Sequence, residues 1–499
     1  MTIRNSNNYK ELLSQFGNYM QSKGLSRLLL IVGLYTLYQS LFKVGVEEML
    51  IYGMLPLAVF SMVLFLINPR QSYYVLFVIQ FLLLIASSMT DVKLGIATLL
   101  LAIGIIAFQI AYAIYQKADW SILRNGMIYI FLVWGVFCLF ELTNSNHVQA
   151  AWNISITHYL VYPIVCAILV PIAVRDIKGI QWLLIIWSLF VIYATLKGYW
   201  QKNHGFNSRE LYFLYVLGGA KTHLIWSGIR YFSCFSDAAN YGVHMAMAFT
   251  TFGLAAFFTR PIRLKIYFVF IALAALYSMG ISGTRAAVAV PIGGLGLFIL
   301  LSRNHKMTLM GVIALLSLFV FFRFTTIGEG NQYVRKMRSA FNPTEDASYQ
   351  LRVYNREQMK LLMEHKPFGY GQGLSKGERF MPKEQMPYPP DSWLVAVWVE
   401  NGIVGFSIYL LTHIVLFGWC AWILLFKVRN RRLRGLLASW LCMAAGFYVS
   451  AYANDVMQYP NSIVVYTAFA LCFAGQKIDQ RERVEQMLAE KQQKWIETT

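Results

Sequence analysis

Four arginines and one aspartate are the residues of this chain best suited to chemistry. Arg230 opens the segment RYFSCFSDAAN (230–240), Arg285 closes a short SGTR turn (282–285), Arg352 and Arg356 stand four residues apart, and Asp391 ends a long polar stretch. A guanidinium is a planar fork that takes two phosphate oxygens at once, so arginines drawn from separate loops can clamp a diphosphate. Desolvating an arginine at a membrane boundary is costly unless it is paired, which gives Arg285 a functional reading; snorkelling to the headgroups is the alternative. Asp391 follows Pro389-Pro390, where aspartate is a preferred helix cap. The same carboxylate can also accept a proton.

These residues need a scaffold, and composition says what kind. The 499 residues are 57% hydrophobic, 16% aromatic and only 13% charged, too apolar for a soluble fold of this length. Apolar runs of membrane-crossing length occur near 26–42, 50–67, 73–88, 94–115, 126–142, 154–174, 181–198, 239–258, 266–281, 286–301, 307–323, 402–426, 436–452 and 461–476. The expected fold is therefore an all-α polytopic membrane protein with about 12–14 transmembrane helices. A polar, Asn-rich tail precedes the first run, so it reads as a retained helix and not as a removable signal. Residues 9–20 suit a short interfacial helix.

The formal charge of +19 could suggest a nucleic-acid binder, but its distribution argues otherwise. Arg70, Lys117, Arg124, Arg175, Arg260, Arg303 and the cluster from Lys427 to Arg434 fall on one side, with few charges in the short connections opposite. That is the positive-inside pattern, with both termini cytoplasmic. Two longer exterior loops escape it, at 199–238 and 324–391. The expected organisation is a cytoplasmic tail at 1–25, helices over 26–323 interrupted by the smaller loop at 199–238, and the large exterior loop at 324–391, expected to be catalytic. A half-helix and the last spans at 392–476 follow, with a cytoplasmic tail at 477–499. A connection of that length between helices is longer than topology requires, and long structured loops are usually functional.

Within the large loop, 348–365 reads as one helix, capped by Asp346 or Ser348 and ended by Pro367 and Gly369. Arg352, Arg356 and Lys360 share one face of it, and Leu351, Tyr354 and Leu362 another. The GYGQG that follows (369–373) lacks the Lys-Ser/Thr of a phosphate loop and is better read as a turn. Glu400-Asn401-Gly402 breaks the apolar stretch after Asp391, so that a half-helix enters the membrane edge first. Six cysteines without CxxC spacing, eight scattered histidines and no DxD motif argue against a metal site or a disulfide framework. No cofactor is expected.

Taken in order, the Arg230 segment with DAAN before a span, SGTRAAVAV (282–290), the loop helix with HKPFGYGQG (365–373) and SWLVAVWVENGIVG (392–405) resemble the O-antigen ligase and polymerase superfamily of bacterial envelope glycosyltransferases. The resemblance covers roughly 230–405. It implies a multi-pass protein of the bacterial inner membrane with its active site on the periplasmic face. The implied reaction transfers a glycan from an undecaprenyl diphosphate-linked donor to a saccharide or lipid A-core acceptor, without a metal, among membrane lipids and other polysaccharide-assembly proteins.

By the same resemblance Arg230 and Arg285 match the arginines that contact the diphosphate, Arg352 and Arg356 join them, and Asp237, Asn240 and Glu400 support the site. Nine positions before Glu400, where ligases carry a catalytic histidine, this chain has Asp391, with Ser392 in place of the usual asparagine. That departure favours a polymerase over a ligase proper. The chemistry tolerates it: with cations absorbing the leaving-group charge, a carboxylate base on the acceptor hydroxyl is what remains to be supplied. A lipid-linked oligosaccharide transporter is the rival from another class. Such a carrier usually shows polar or charged residues within its helices and a two-fold internal resemblance, whereas the spans here are nearly free of charge and no repeat is visible.

Overall fold

A computed structural model describes residues 71–89, 100–107, 124–225, 228–339, 347–376, 380–381, 386–388 and 392–498, with 110, 341 and 390. The expected spans 26–42 and 50–67, most of 94–115, the segment 9–20, the cap at 346 and Asp391 lie outside the described residues.

The chain is an all-α, multi-pass membrane protein: among the described residues, eight helices are long and apolar enough to cross a bilayer. In order the elements are α1 (Ser72–Ser87), α2 (Gly126–Phe140), α3 (Gln149–Ala173), α4 (Ile177–His204), the short α5 (Ser208–Tyr215) and a two-stranded ladder of β1 (Leu224–Ile225) and β2 (Gly228–Ile229). Then come α6 (Ala238–Phe258), α7 (Ile262–Ile281), α8 (Ala289–Leu301), α9 (His305–Phe324), α10 (Gln332–Ser339), α11 (Ala347–Met363), α12 (Trp393–Trp422), α13 (Arg431–Ala451) and α14 (Asn461–Thr498).

Sequence decides which helices are central. α6, reading AANYGVHMAMAFTTFGLAAFF, and α13 carry many small residues and are buried nearly all round. Hydrocarbon offers no hydrophobic drive between helices, so close approach of small residues supplies the packing instead. α8 and α13 touch backbone to backbone: a β-carbon on Gly446 would collide with the Val290 carbonyl, and one on Gly294 would lie 3.0 Å from the Cys442 carbonyl oxygen. The first half of α14 is fully enclosed, from Ile463 to Cys472. α9 is the opposite case, with Leu309, Ile313, Leu316 and Val320 facing outward as lipid-exposed surface.

Among its described residues the long polar interval holds two α-helices, α10 and α11, both at the end of the bundle where α8 begins. α11 packs inward through Asn355, Met359 and Met363, while Leu351 and Tyr354 face out. Met359 and Met363 join a satellite cluster with Ala151, Tyr370, Leu374 and Val399, which seats the loop helix on α3 and α12.

α12 is broken at Gly402, whose φ of 65° and ψ of −171° are not helical. The break exposes carbonyls, and the turn at 367–373 satisfies them: Tyr370 N donates to Val399 O at 3.0 Å and Gly371 N to Glu400 O at 2.9 Å, while Val404 N donates to Pro367 O at 3.1 Å. Gly369 and Gly402 approach so closely that side chains at either would strike backbone. GYGQG is thus a turn fitted to a helix break, with positive φ at Gly369, Gly371 and Gly373.

Candidate functional site

Arg230 is set by the loop that follows α4. Gln201, at the end of α4, clasps that loop: its amide accepts from Ser233 N at 2.8 Å and donates to Ser233 O at 3.0 Å. Lys197 and Glu210 form a buried ion pair at 2.9 Å that fixes α5 against α4; removing one partner of such a pair costs about 3–5 kcal/mol. His223 joins loop to helix. Its carbonyl accepts Arg230 N at 2.8 Å, and its Nε2 accepts Ala238 N at 3.2 Å, which leaves the ring proton on Nδ1, facing Gly219 O at 2.9 Å. Burial holds this imidazole below its usual pKa, in keeping with a neutral ring.

So placed, the Arg230 guanidinium spans two segments. Nη1 donates to Thr222 O at 3.1 Å and Nη2 to Thr284 Oγ1 at 3.0 Å. The Thr284 hydroxyl donates in turn to Ala238 O at 2.7 Å. Gly283, at φ 58°, turns the chain so that Arg285 can follow. A β-carbon there would press on Arg230 Cγ at 3.3 Å and Lys336 Cδ at 3.4 Å, so these two cations flank the same turn. Arg285 Nη1 reaches Ser339 Oγ at 3.4 Å, on α10.

From α11, Arg352 Nη2 donates to Asn454 Oδ1 at 3.2 Å, in the turn between α13 and α14. Arg230 feels Arg285 and Arg352 electrostatically, and Lys336 feels Arg230 and Arg285. Burial lowers the pKa of Arg230, and the two arginines lower it further against the opposing pull of Asp237. Lys336 is pushed down to about 8 by burial, Arg230 and Arg285. Four cations from four segments therefore share one end of the bundle. Arg356 is employed otherwise: it donates to Tyr452 OH at 2.7 Å and Tyr452 O at 3.0 Å and lies over that ring at 4.5 Å, holding α11 to the end of α13.

Asp237 caps α6, accepting from Ala239 N and Asn240 N, each at 2.8 Å. Its other oxygen takes Asn240 Nδ2 at 2.6 Å. Asn240 is buried and continues inward through Asn461 at 3.2 Å to His244 at 2.8 Å. Toward the site it meets Gln458 at 3.5 Å, and Gln458 donates to Asp455 O at 3.3 Å. Asp455 pairs with Lys376 at 3.2 Å, and Lys376 lies over Trp393 at 4.6 Å. Burial alone would lower the pKa of that lysine, but Asp455 and Glu400 more than offset it and raise it. Glu400 is fully buried, accepting from Tyr159 OH at 2.9 Å and from Ser375 Oγ.

Of the residues expected from sequence, Arg230, Arg285, Arg352 and Asp237 come together, Asn240 adjoins them, Glu400 sits one layer away beyond Lys376, and Arg356 docks a helix. Asp391 is outside the described residues. Its neighbour Ser392 caps α12, accepting Val395 N at 3.2 Å, and Trp393 N donates to Asn454 O at 3.2 Å. The α12 start is thus joined to the residue that takes Arg352. Lys336, Lys376, Asn454, Asp455 and Gln458 were not singled out by sequence. Lys336 carried a signal, its place among the exterior basic residues of the 324–391 loop, whereas Asp455 stood in a short connection with no motif around it.

An array of this kind can hold a diphosphate and absorb charge that develops on it. No curated protein matches the chain. Residues 267–410 match the family model described as O-antigen ligase. The matched stretch runs from within α7 through Arg285, Lys336 and Arg352 to just past the break in α12, and leaves Arg230 and the 454–461 turn outside it. Over this stretch, which carries Arg285, Lys336 and Arg352, the chain is similar to the O-antigen ligase family, in line with the superfamily that the sequence motifs resemble.

Proposed function

We propose that the protein transfers a glycan from undecaprenyl diphosphate to an acceptor sugar on the periplasmic face of a bacterial inner membrane, and that it extends chains in preference to capping lipid A-core. The observation that carries this reading is the gathering of Arg230, Arg285, Arg352 and Lys336 from four segments at one end of the bundle. The opposite end of the bundle holds Arg175, Arg260, Arg303 and Arg431, which supports a cytoplasmic placement for that end and an exterior one for the cluster.

In this reading the cations grip the donor diphosphate and Asp391 takes the proton of the acceptor hydroxyl. The acceptor oxygen attacks the anomeric carbon, the bond from that carbon to the diphosphate oxygen breaks, and the leaving group departs with the electron pair into the cation cluster. One displacement inverts the anomeric centre, and no metal is required. Asp237 and Asn240 hold the α6 cap from which Arg230 is braced, and Glu400 holds the turn that seats α11.

The test is genetic and chemical together. Arg230→Ala and Arg285→Ala should each abolish glycan extension while the protein stays in the membrane, and normal surface polysaccharide in either would remove the clamp. Asp391→Asn should lose activity by about 10²–10⁴, with part of it regained in Asp391→His; full activity of the Asn variant would discard Asp391 as base. Deletion followed by gel analysis separates the two acceptors: single-repeat products mark a polymerase, and lipid-linked polymer without transfer marks a ligase.

A further inference from the structure

At the end of the bundle away from the cation cluster, a cavity of about 180 Å³ opens between α6, α8, α9 and α13. α8 descends to it from Arg285, and α13 rises from it toward the turn that holds Asn454. Its floor is apolar, with Phe258, Phe298 and Met307; its mouth carries Arg303, Arg431 and Arg434. Gly435 lets the Phe258 ring lie flush against α13, where a β-carbon would collide with it.

Three guanidinium groups around one opening repel each other unless an anion joins them. Among the described residues none of the three makes a hydrogen bond or ion pair through its side chain; Arg303 lies over the Phe426 ring at 5.4 Å. Asp479, the carboxylate whose field reaches Arg434, is buried and already committed, to Arg483 at 2.7 Å and Asn430 N at 2.8 Å. The missing partner is external. An apolar floor beneath a cationic mouth, between helices at the membrane boundary, matches a molecule with a phosphate at one end and hydrocarbon at the other.

We propose that this cavity is a phosphodiester site, filled from the bilayer by the headgroup of an anionic lipid. It is separate from the transfer site and stands whether or not that reading holds.

Native mass spectrometry of the purified full-length protein tests it, with phosphatidylglycerol, cardiolipin and phosphatidylcholine added in turn and with inorganic phosphate as a soluble competitor. The wild type should favour the two anionic lipids over phosphatidylcholine by about tenfold. Combined Arg303→Gln, Arg431→Gln and Arg434→Gln should erase that preference. Combined Arg260→Gln, Arg263→Gln and Lys265→Gln, with the same loss of charge at the same end, should keep it. Ala438→Met fills the floor without altering charge and should also erase it, so loss of binding is readable even if the triple variant folds poorly. Anionic preference surviving in both cavity variants, or lost equally in the control, overturns the proposal. Displacement of the lipid by millimolar phosphate, with phosphate retained on the protein, would assign the site to soluble phosphate and overturn the lipid source.

Discussion

At one end of α8 the guanidinium groups of Arg230, Arg285 and Arg352 are aimed by protein oxygens: Thr222 O, Thr284 Oγ1, Ser339 Oγ and Asn454 Oδ1. At the other end Arg303, Arg431 and Arg434 ring a cavity with no hydrogen bond or ion pair to aim them among the described residues. Both ends collect positive charge, but only the first fixes its direction. Fixed donors are what a reacting group needs, because the cost of orienting them is met before charge develops. Adjustable donors suffice for a headgroup that undergoes no reaction.

Lysine substitution breaks or sharpens this contrast, because it keeps the charge and discards the planar fork. Arg285→Lys should lose about 10²–10³ in transfer rate, the penalty for a misplaced charge-stabilising donor. Arg434→Lys should leave the lipid preference within about twofold, as expected of a point charge near a phosphate. Transfer assays on membrane preparations and the lipid titration measure the two. Equal tolerance at both ends would mean that the aiming seen around Arg285 has no role.

A smaller effect is expected from the brace itself. Thr284→Val removes the hydroxyl that accepts from Arg230 at 3.0 Å and donates to Ala238 O at 2.7 Å. The loss should be about tenfold or somewhat more, in line with one hydrogen bond from a charged donor of about 1.5–3 kcal/mol. Thr284→Ser keeps the hydroxyl and should restore activity. If Ser and Val behave alike, packing of the methyl group and not aiming of Arg230 explains the position.

The sequence shows this architecture unevenly, for physical reasons. Apolar runs disclose spans because hydrocarbon demands them, and Arg285 could be singled out because a cation at a membrane edge needs explaining. The break in α12 was visible at Glu400-Asn401-Gly402, yet what fills it was not. The fit of Gly369 against Gly402 is a contact between segments more than thirty residues apart, with no local pattern to announce it. Asp455 and Asn454 were missed for the same reason: a short polar turn between α13 and α14 looks like any connection until α11 lays Arg352 across it. The apolar side of α11 illustrates the converse. Its periodicity was plain, but Leu351 and Tyr354 face outward while Met359 and Met363 turn in.

Lys336 offers the smallest and most discriminating test of the cluster. Its ammonium, ordinarily titrating near 10.5, is pushed down to about 8 by burial, Arg230 and Arg285. A bound diphosphate would favour the charged form, so above about pH 8 the donor must bring a proton with it. The donor KM should then rise by about threefold to tenfold between roughly pH 7.5 and 9, while kcat moves less. The effect on folding has the opposite sign. Between about 8 and 10.5 the unfolded chain binds the extra proton, so this residue makes stability rise with pH across that window. Lys336→Met should flatten both trends at once, one read from donor saturation curves and the other from thermal melts in detergent. A KM that still climbs above pH 8 in the variant would place the titrating group elsewhere, and would separate Lys336 from Arg230 and Arg285, the two arginines that act on it.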